Sequence, residues 1–340
     1  MSAPIATLER LELPLVHPFT IARGEERTAR SILLRLRDPS GVEGVGETAP
    51  SMRYGESCES VEAYLRAHPP AIADPFLLET VLDAAIPPAA RCALDIALHD
   101  LIAKRLGIPL YAWLGLDPDR TPVTSFTIGI ASREETLAKV AAVGDHPILK
   151  VKLGIGSDDE QIETVAAIRG RYRGTIRIDA NEGWTPLQAV RILRALEPYD
   201  IEFCEQPIPA GNPGALRYLR EHTRIPLVAD EDAREASNLR ALIGCVDGVN
   251  VKLVKCGGIR AAHAMIRAAR ALGFKVMLGC MVESAIATTA AAHLSPLADW
   301  ADLDGPFLTA RDPFAGVTYD RGKLVLPREP GLGVRERIAA

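Results

Sequence analysis

The runs Thr175-Ile-Arg-Ile-Asp-Ala-Asn181 and Ile201-Glu-Phe-Cys-Glu-Gln-Pro207 each combine β-branched or aromatic residues with a carboxylate near the end of the run. Short apolar runs of this kind predict buried β-strands. Between them, residues 187–196 carry apolar side chains at helical spacing, which predicts an amphipathic helix. A strand, a helix and a second strand in this order predict a βαβ unit with parallel strands.

The same unit recurs along the chain. Helical patterns also cover residues 158–169, 234–243 and 259–272. Eight runs have the character of strands, namely 123–129, 148–153, 175–181, 201–207, 225–231, 249–254, 275–280 and 300–305. Polar residues near five successive strand ends lie 25, 27, 26 and 25 residues apart: Thr127, Lys152, Asp179, Glu205 and Asp230. We therefore predict an α/β fold with a (β/α)8-type barrel, in which the last unit is open to modification.

The first third of the chain has a different pattern. Alternating residues predict strands at 7–15, 29–37 and 44–48, and a long helix is predicted over 89–106. We predict an α+β capping domain over residues 1–115, the barrel over 116–325, and a tail over 326–340 that packs back on the capping domain. Polar, glycine-containing loops at 17–26 and 51–56 are expected to form a lid over the barrel.

Composition excludes several classes of protein. The 340 residues are 48% hydrophobic and 24% charged, with a net charge of -5 and no blocks of one sign. This distribution argues against a nucleic acid or an anionic membrane as partner. The sequence has no signal peptide pattern and no apolar stretch long enough to span a bilayer, so a cytoplasmic protein is expected. Its six cysteines form no C-x-x-C pair, which favours free thiols.

Strands three, four and five are predicted to end in Asp179, Glu205 and Asp230. Catalytic residues of a βα barrel lie at the C-terminal ends of its strands. Any one of these acids alone could be a solvated strand end, but three converging carboxylates would repel one another without a cation. Because hard divalent ions prefer oxygen ligands, we predict a Mg²⁺ site, with one ion per active site.

Lysines flank the predicted metal site. Lys150 and Lys152 lie two apart on strand two, so both side chains face the same way. Lys255 follows strand six, which lies opposite strand two in an eight-stranded ring. A substrate bound to the metal would then have a lysine on each side. Lys252, inside strand six, is expected to be a charge partner of the acids.

Strand eight carries a second pair of carboxylates. Asp302 and Asp304 share a face and lie away from the three predicted metal ligands. This position suits the binding of a cationic group of the ligand. The alternative is that one of the two caps the following turn.

Taken together, the quoted residues resemble the enolase superfamily and its muconate-lactonizing-enzyme-like subgroup. The resemblance spans nearly the whole chain and rests on Lys150-Val-Lys152, Asp179-Ala-Asn181, Cys204-Glu-Gln-Pro207, Ala229-Asp-Glu231, Lys252-Leu-Val-Lys255-Cys-Gly-Gly, Ala93-Leu-Asp-Ile-Ala-Leu-His-Asp100 and Pro330-Gly-Leu-Gly333. Within the subgroup, Asp302-Leu-Asp304-Gly-Pro and Gly279-Cys-Met-Val-Glu-Ser284 are similar to the dipeptide epimerases.

This resemblance implies a function and a set of roles. The expected reaction is Mg²⁺-dependent epimerization of L-Ala-L-Glu or a related L-Ala-L-Xaa dipeptide, with Lys152 acting on the (R) and Lys255 on the (S) configuration. The base needs a lowered pKa, which nearby cations would provide. Asp302 and Asp304 would bind the α-ammonium, and Lys150 would lie beside the substrate carboxylate. Other expected substrate contacts are Thr127, Cys280, Val282 and Arg23, the last of these reaching the side-chain carboxylate of glutamate.

Several alternatives remain open from the sequence. Muconate cycloisomerase, o-succinylbenzoate synthase and N-acylamino acid racemase share the same frame, although their substrates lack the free ammonium that Asp302 and Asp304 would bind. From other classes, a Schiff-base aldolase has no need of three metal carboxylates. A non-catalytic metal-binding or sugar-binding barrel has no need of opposed lysines. The sequence also leaves the oligomeric state open, a homo-oligomer included.

Overall fold

The computed structural model describes residues 4–337. Its N-terminal part is an antiparallel sheet in the order β1-β2-β3, with helices packed against it. The elements are β1 (Ile5–Ile21), β2 (Gly24–Arg37), β3 (Glu43–Thr48), α1 (Cys58–Ala67), α2 (Leu78–Val81), α3 (Pro88–Leu106) and α4 (Leu110–Trp113). Helix α3 packs closely on β3. A Cβ atom on Gly46 would lie 2.1 Å from the carbonyl oxygen of Ala93, so this contact requires glycine.

The rest of the chain is mainly an eight-stranded parallel barrel. In chain order its elements are β4 (Phe126–Ile128), α5 (Arg133–Val143), β5 (Ile148–Lys152), α6 (Asp158–Arg171), β6 (Thr175–Asp179), α7 (Pro186–Leu196), β7 (Ile201–Glu205), α8 (Pro213–His222), β8 (Leu227–Ala229), α9 (Leu239–Leu242), β9 (Gly248–Val251), α10 (Leu253–Cys256), α11 (Ile259–Ala271), β10 (Lys275–Gly279), α12 (Ala285–Ala292), β11 (Trp300–Asp302) and α13 (Gly305–Leu308). A parallel bridge between Thr124 and Ala301 joins the two edges, so the barrel is nearly closed. The predicted fold class is confirmed.

The last βα unit is modified. Only the single turn α13 follows β11, in place of a full helix. After it come β12 (Phe314–Ala315), β13 (Thr318–Asp320), β14 (Lys323–Val325) and β15 (Arg335–Glu336). The tail then lies against the N-terminal part: the Leu332 amide donates to Asp100 Oδ1 over 2.8 Å, and Glu336 pairs with Arg35. None of the helices within residues 4–337 is both long and apolar enough to cross a bilayer.

Two local predictions were wrong. The expected helix over 234–243 is a 3-10 turn, Ala236–Asn238, followed by the single turn α9. Asn238 Oδ1 accepts the amides of Arg234 and Glu235 at 3.1 and 3.0 Å in a capping box, so the first helical turn starts only at Ala236. The expected loop at 17–26 is instead a β-hairpin, because Phe19 and Thr20 of β1 pair with Glu26 and Glu25 of β2.

Side-chain alternation along the barrel strands builds two layers inside the barrel. Asp179, Glu205 and Asp302 lie at the upper rim, and two residues earlier on the same strands are Arg177, Phe203 and Trp300, all buried. Arg177 lies over the Phe203 ring at 5.2 Å and donates to the Ala301 carbonyl oxygen at 2.8 Å. This lower layer, which also contains Val228 and Met277, forms the floor beneath the polar rim.

Candidate active site

Three carboxylates lie side by side at the rim. Asp179 ends β6 and Glu205 ends β7, and the two are direct partners in the parallel ladder. Asp230 follows the last residue of β8, and all three side chains are buried. Burial and the charges of Asp179 and Asp230 raise the pKa of Glu205 to about 7, which reflects the concentration of negative charge here. The structure thus brings together the three predicted metal ligands.

Two lysines of β5 neutralise part of this charge. Lys150 is 1% exposed, and its Nζ lies 3.2 Å from Asp179 Oδ2, 2.6 Å from Glu205 Oε2 and 2.5 Å from Asp302 Oδ2. Lys152 Nζ lies 2.6 Å from Asp179 Oδ2. Burial opposes the charged form of Asp179, but Lys152 and Lys150 outweigh it and lower its pKa to about 2. Lys150 is therefore a central ion-pairing residue, whereas Lys152 lies at one end of the cluster.

Lys252 and Lys255 lie in different environments from those predicted for them. The Lys255 side chain is completely buried, and its Nζ binds the main-chain carbonyl oxygens of Asp230 (2.7 Å), Ala233 (3.1 Å) and Asn250 (2.8 Å) as well as Asp230 Oδ1. An ammonium group held by four oxygens cannot readily reach a substrate. Lys252 follows β9 directly, is 9% exposed, and has its Nζ 2.9 Å from Asp230 Oδ2.

Lys252 therefore mirrors Lys152 across the carboxylates. Both side chains are 9% exposed, and one binds the first and the other the last of the three acids. The neighbouring acids also affect the pKa of Lys252. Burial opposes its charged form, but the attraction of Asp230 and Glu205 is larger, and the pKa lies well above the ordinary value.

Asp302 and Asp304 lie opposite this arc, on and just after β11. Asp302 accepts from Ser125 Oγ at 2.6 Å in addition to Lys150, so it is linked to the metal-site carboxylates through Lys150 rather than separate from them. Asp304 Oδ2 accepts the Thr127 amide at 2.7 Å and caps no turn with its side chain. Burial and the charge of Asp302 raise the pKa of Asp304 to about 6.

The remaining predicted contacts lie around this pocket. Thr127 is buried on β4 beside Asp304. Cys280 and Val282 follow β10, are both half-buried, and the Cys280 thiol lies 3.3 Å from the Asp302 carbonyl oxygen. These residues form the wall between β10 and β11, next to the Asp302 and Asp304 carboxylates.

Arg23 reaches the rim from the tip of the β1–β2 hairpin. Its Nη1 donates to Glu231 Oε1 at 2.7 Å, to Glu182 Oε2 at 3.2 Å and to the Asn181 carbonyl oxygen at 3.1 Å. Arg53, from the second predicted lid segment, binds both oxygens of Glu182 at 2.6 Å. Two segments of the N-terminal part are thus held on the barrel by the same carboxylate.

Several residues of the site were missed by sequence reasoning. They are Ser125, Asn250, Glu182, Glu231 and Arg53. Asn250 Nδ2 donates to Glu205 Oε1 at 2.6 Å. A signal was available for two of them, because Ser125 and Asn250 lie two residues before Thr127 and Lys252 and therefore share their faces. Arg53 and Glu182 meet only through the tertiary fold.

The donor set has the chemistry of a site for a hard divalent cation. Asp179, Glu205 and Asp230 supply buried carboxylate oxygens from neighbouring strands, and burial together with the charge of Asp179 raises the pKa of Glu205. With the lysines paired as described, no three carboxylate, imidazole or thiolate groups within residues 4–337 are spaced as ligands of one ion. Ligation by the three acids would require their ion pairs with the lysines to rearrange.

Comparison with known families defines the class of protein. Residues 5–115 match the N-terminal domain of mandelate racemase and muconate lactonizing enzyme, and residues 132–337 match the enolase C-terminal domain-like family. The chain therefore belongs to the mandelate racemase and muconate lactonizing enzyme family of the enolase superfamily.

Individual relatives narrow the class. The chain is 40% identical to L-Ala-D/L-Glu epimerase of Bacteroides thetaiotaomicron, over 95% of this chain and 85% of that protein. The dipeptide epimerase from Enterococcus faecalis V583, solved in complex with Mg and L-Leu-L-Tyr, is 32% identical with a TM-score of 0.92, over 98% of this chain and 99% of that one. N-succinyl Arg/Lys racemase from Bacillus cereus ATCC 14579 is 29% identical with a TM-score of 0.93, over 99% and 96%. With such homologues, this chain is an isomerase of the racemase and epimerase type.

Proposed function

We propose that the protein catalyses the Mg²⁺-dependent epimerization of dipeptides, converting L-Ala-L-Glu or a related L-Ala-L-Xaa to the L,D epimer. The α-proton would move by a 1,1-transfer between Lys152 and Lys252. The proposal keeps Lys152 as the base for the (R) configuration. It assigns the (S) configuration to Lys252, because Lys255 is occupied by main-chain oxygens.

One observation carries this proposal: Lys152 and Lys252 bracket the carboxylate cluster with matching environments. Each ammonium group lies within 3 Å of one outer carboxylate, and each side chain is 9% exposed. An inversion by proton transfer needs one group on each face of the reacting carbon, within hydrogen-bond reach. A simple binding barrel would not need this symmetry.

The carboxylates provide the electrostatic side of the reaction. Asp179, Glu205 and Asp230 would hold a Mg²⁺ ion, which would offset the charge that the substrate carboxylate gains when the α-proton leaves. Lys150 is placed to add a positive charge at the same end of the substrate, since it already lies between Glu205 and Asp302. The rim side chains are buried, and a lower local dielectric would strengthen each of these interactions.

Asp302 and Asp304 supply the selection for a dipeptide. The pKa of Asp304 is raised to about 6 by burial and by the charge of Asp302, so a cationic group between the two would relieve their repulsion. The α-ammonium of a dipeptide has this charge, and the α-nitrogen of an N-acylated amino acid does not. The pair therefore favours a dipeptide over the substrates of an N-acylamino acid racemase, which is the second candidate.

Arg23 would select the second residue of the dipeptide. Within residues 4–337, Arg23 donates hydrogen bonds only through Nη1. Its Nε and Nη2 are left to form a fork for a side-chain carboxylate. Glutamate at the second position is therefore the preferred expectation, although Glu182 and Glu231 reduce the local positive charge.

A deuterium exchange experiment tests the proposal. Pooled L-Ala-L-Xaa dipeptides are incubated with the enzyme and Mg²⁺ in D₂O, and mass spectrometry detects a gain of one dalton at the α-carbon. N-acetyl-L-Ala-L-Glu is included for comparison. Loss of a charge-assisted hydrogen bond worth about 1.5 to 3 kcal/mol predicts that acetylation slows the reaction by about one to two orders of magnitude. Exchange into N-acyl substrates alone would favour the racemase, and exchange into none of them would refute both candidates.

A further inference from the structure

Helix α3 contacts the barrel at the turn that follows Lys252. Arg91 Nη2 donates to the carbonyl oxygen of Cys256 at 3.0 Å. Asp95, one turn further along α3 and completely buried, accepts the main-chain amides of Ile259 and Arg260 with Oδ2, the second at 3.3 Å. The N-terminal part of the chain thus holds both ends of the segment 256–260.

The glycines of this segment show how closely α3 fits. Gly257 and Gly258 have φ angles of 95° and 110°, which favour glycine. A Cβ atom on Gly258 would lie 2.4 Å from Asp95 Oδ2, and one on Gly257 would lie 2.3 Å from Arg91 Nε. Gly258 immediately precedes α11 and has no side chain to cap it. Asp95 supplies the missing carboxylate at this helix N-terminus from another part of the fold.

The segment held by α3 is continuous with Lys252. The carbonyl oxygen of Lys252 accepts the amides of Lys255 at 3.1 Å and Cys256 at 3.3 Å, so Lys252 begins the single turn α10. The end of α10 is Cys256, whose carbonyl oxygen binds Arg91. A displacement of residues 256–259 would therefore move the backbone of Lys252.

Lys152 is fixed by different contacts. It lies on β5, and the amide of the next residue, Leu153, donates to the Asp179 carbonyl oxygen at 2.8 Å. The Gly154 amide donates to Gln161 Oε1 at 2.8 Å. Both of these contacts are made within the barrel.

We propose that Asp95 is a positioning residue that acts through the 256–259 turn on Lys252, so that helix α3 controls one of the two proton-transfer groups and not the other. This inference rests on the proposed epimerase function, in which Lys252 acts on the L epimer. The Asp95 carboxylate itself does not contact the substrate.

The experiment compares proton exchange from the two epimers. Initial rates of deuterium incorporation in D₂O are measured for L-Ala-L-Xaa and L-Ala-D-Xaa with wild type, Asp95→Ala and Asp95→Asn, where Xaa is the residue that wild type prefers. For Asp95→Ala, kcat for the L epimer should fall about tenfold or more, because small displacements of a reacting group are costly, with KM changed less than about twofold. Exchange from the D epimer should change by less than about threefold. Asp95→Asn retains one acceptor oxygen, so its kcat for the L epimer should lie between those of wild type and Asp95→Ala.

Asp100→Ala is the matched control. Asp100 lies on the same helix, is equally buried, and accepts the main-chain amides of Val45 and Leu332 at 2.9 and 2.8 Å, remote in sequence from Lys252. Asp100→Ala should change the exchange rates of both epimers in the same proportion. Equal effects on both epimers, or no effect, in the Asp95 variants would overturn the inference. If Asp95→Ala does not fold, Asp95→Asn decides the comparison. A wild-type enzyme that exchanges neither epimer would refute the proposed function itself.

Discussion

Lys252 and Lys255 bind different oxygens of one carboxylate, with Lys252 Nζ 2.9 Å from Asp230 Oδ2 and Lys255 Nζ on Oδ1. The two lysines are three residues apart on the same turn, yet only Lys252 retains access to the rim. Lys255 joins Asp230 to the main chain of β9 and of the loop after β8. Lys252 therefore retains partial exposure at the rim, whereas Lys255 holds an acid in position.

Single removal of Lys152 or Lys252 should separate the two directions of proton transfer. Lys152→Ala should abolish net epimerization and exchange from the L,D dipeptide, while exchange from the L,L dipeptide persists through Lys252. Lys252→Ala should give the reverse pattern, and each lost rate should fall by about 10² to 10⁴. The measurement is α-deuteration of each epimer by mass spectrometry. Identical exchange of both epimers in both variants would rule out the two-base geometry.

Lys255→Met should destabilise the protein rather than remove one direction of exchange. The substitution leaves Asp230 Oδ1 and three buried carbonyl oxygens without their ammonium partner. Breaking a buried ion pair from one side costs about 3 to 5 kcal/mol of unfolding free energy. Urea denaturation measures this loss, with Lys252→Met as the comparison that should lose less. A stable Lys255→Met enzyme lacking only L-epimer exchange would restore Lys255 as the base.

Asp179→Asn, Glu205→Gln and Asp230→Asn should each weaken Mg²⁺ binding and abolish epimerization, since each removes a charged oxygen ligand. EDTA should inactivate the wild type, and added Mg²⁺ should restore it. Calorimetric titration with Mg²⁺ reports binding separately from turnover. Asp200→Asn, at an exposed position before β7 with a φ of 51°, should behave as wild type. Full activity in EDTA contradicts the metal assignment.

Arg23→Ala should remove a preference for acidic dipeptides. Wild type should show a higher kcat/KM for L-Ala-L-Glu than for L-Ala-L-Phe or L-Ala-L-Lys, because a guanidinium fork matches a carboxylate. The variant should lose that difference mainly through KM. The same three substrates measured with Arg53→Ala, which affects the Glu182 contact without the fork, form the control. A wild-type preference for Phe or Lys would withdraw this role from Arg23.

Asp304→Asn should stabilise the protein above about pH 6. The pKa of Asp304 is about 6 in the folded chain, because of burial and Asp302, against about 3.9 in an unfolded chain. Between these values the folded state holds the proton and the unfolded state has released it, so wild-type stability falls as the pH rises from about 4 to about 6. Asp304→Asn has no titrating group at this position, so its stability should not fall in this way. The melting temperatures of both proteins, measured without ligand across this pH range, test the difference. Parallel curves of melting temperature against pH would contradict the raised pKa of Asp304.

Much of the barrel could be predicted from the sequence because polar residues recur at regular spacing near five successive strand ends. The carboxylates Asp179, Glu205 and Asp230 follow directly from that pattern, and the structure brings them together. The choice between Lys252 and Lys255 did not follow, since β9 ends at Val251 and the turn α10 begins immediately. Lys252 is still extended and continues the alternation of β9, but Lys255 lies on the turn α10, so the direction of its ammonium group depends on tertiary contacts.

The β1–β2 hairpin was harder to predict for a related reason. Its segment at 17–26 contains polar residues and Gly24, but Phe19 and Thr20 pair across the hairpin and extend both strands. The ion pair of Arg53 with Glu182 joins residues more than a hundred positions apart in sequence. Local pattern contains no information on such a pair.

The filled floor of the barrel determines how molecules reach the carboxylates. Arg177, Phe203 and Trp300 occupy the interior one layer below the rim, and Arg177 is tied across to the Ala301 carbonyl oxygen. Any ligand of the carboxylates would therefore approach from the rim, on the side of the hairpin that carries Arg23. An ion that enters first would lie beneath the dipeptide, so it could leave only after the dipeptide had departed. In the proposed epimerase, this geometry would make the metal the first to bind and the last to leave.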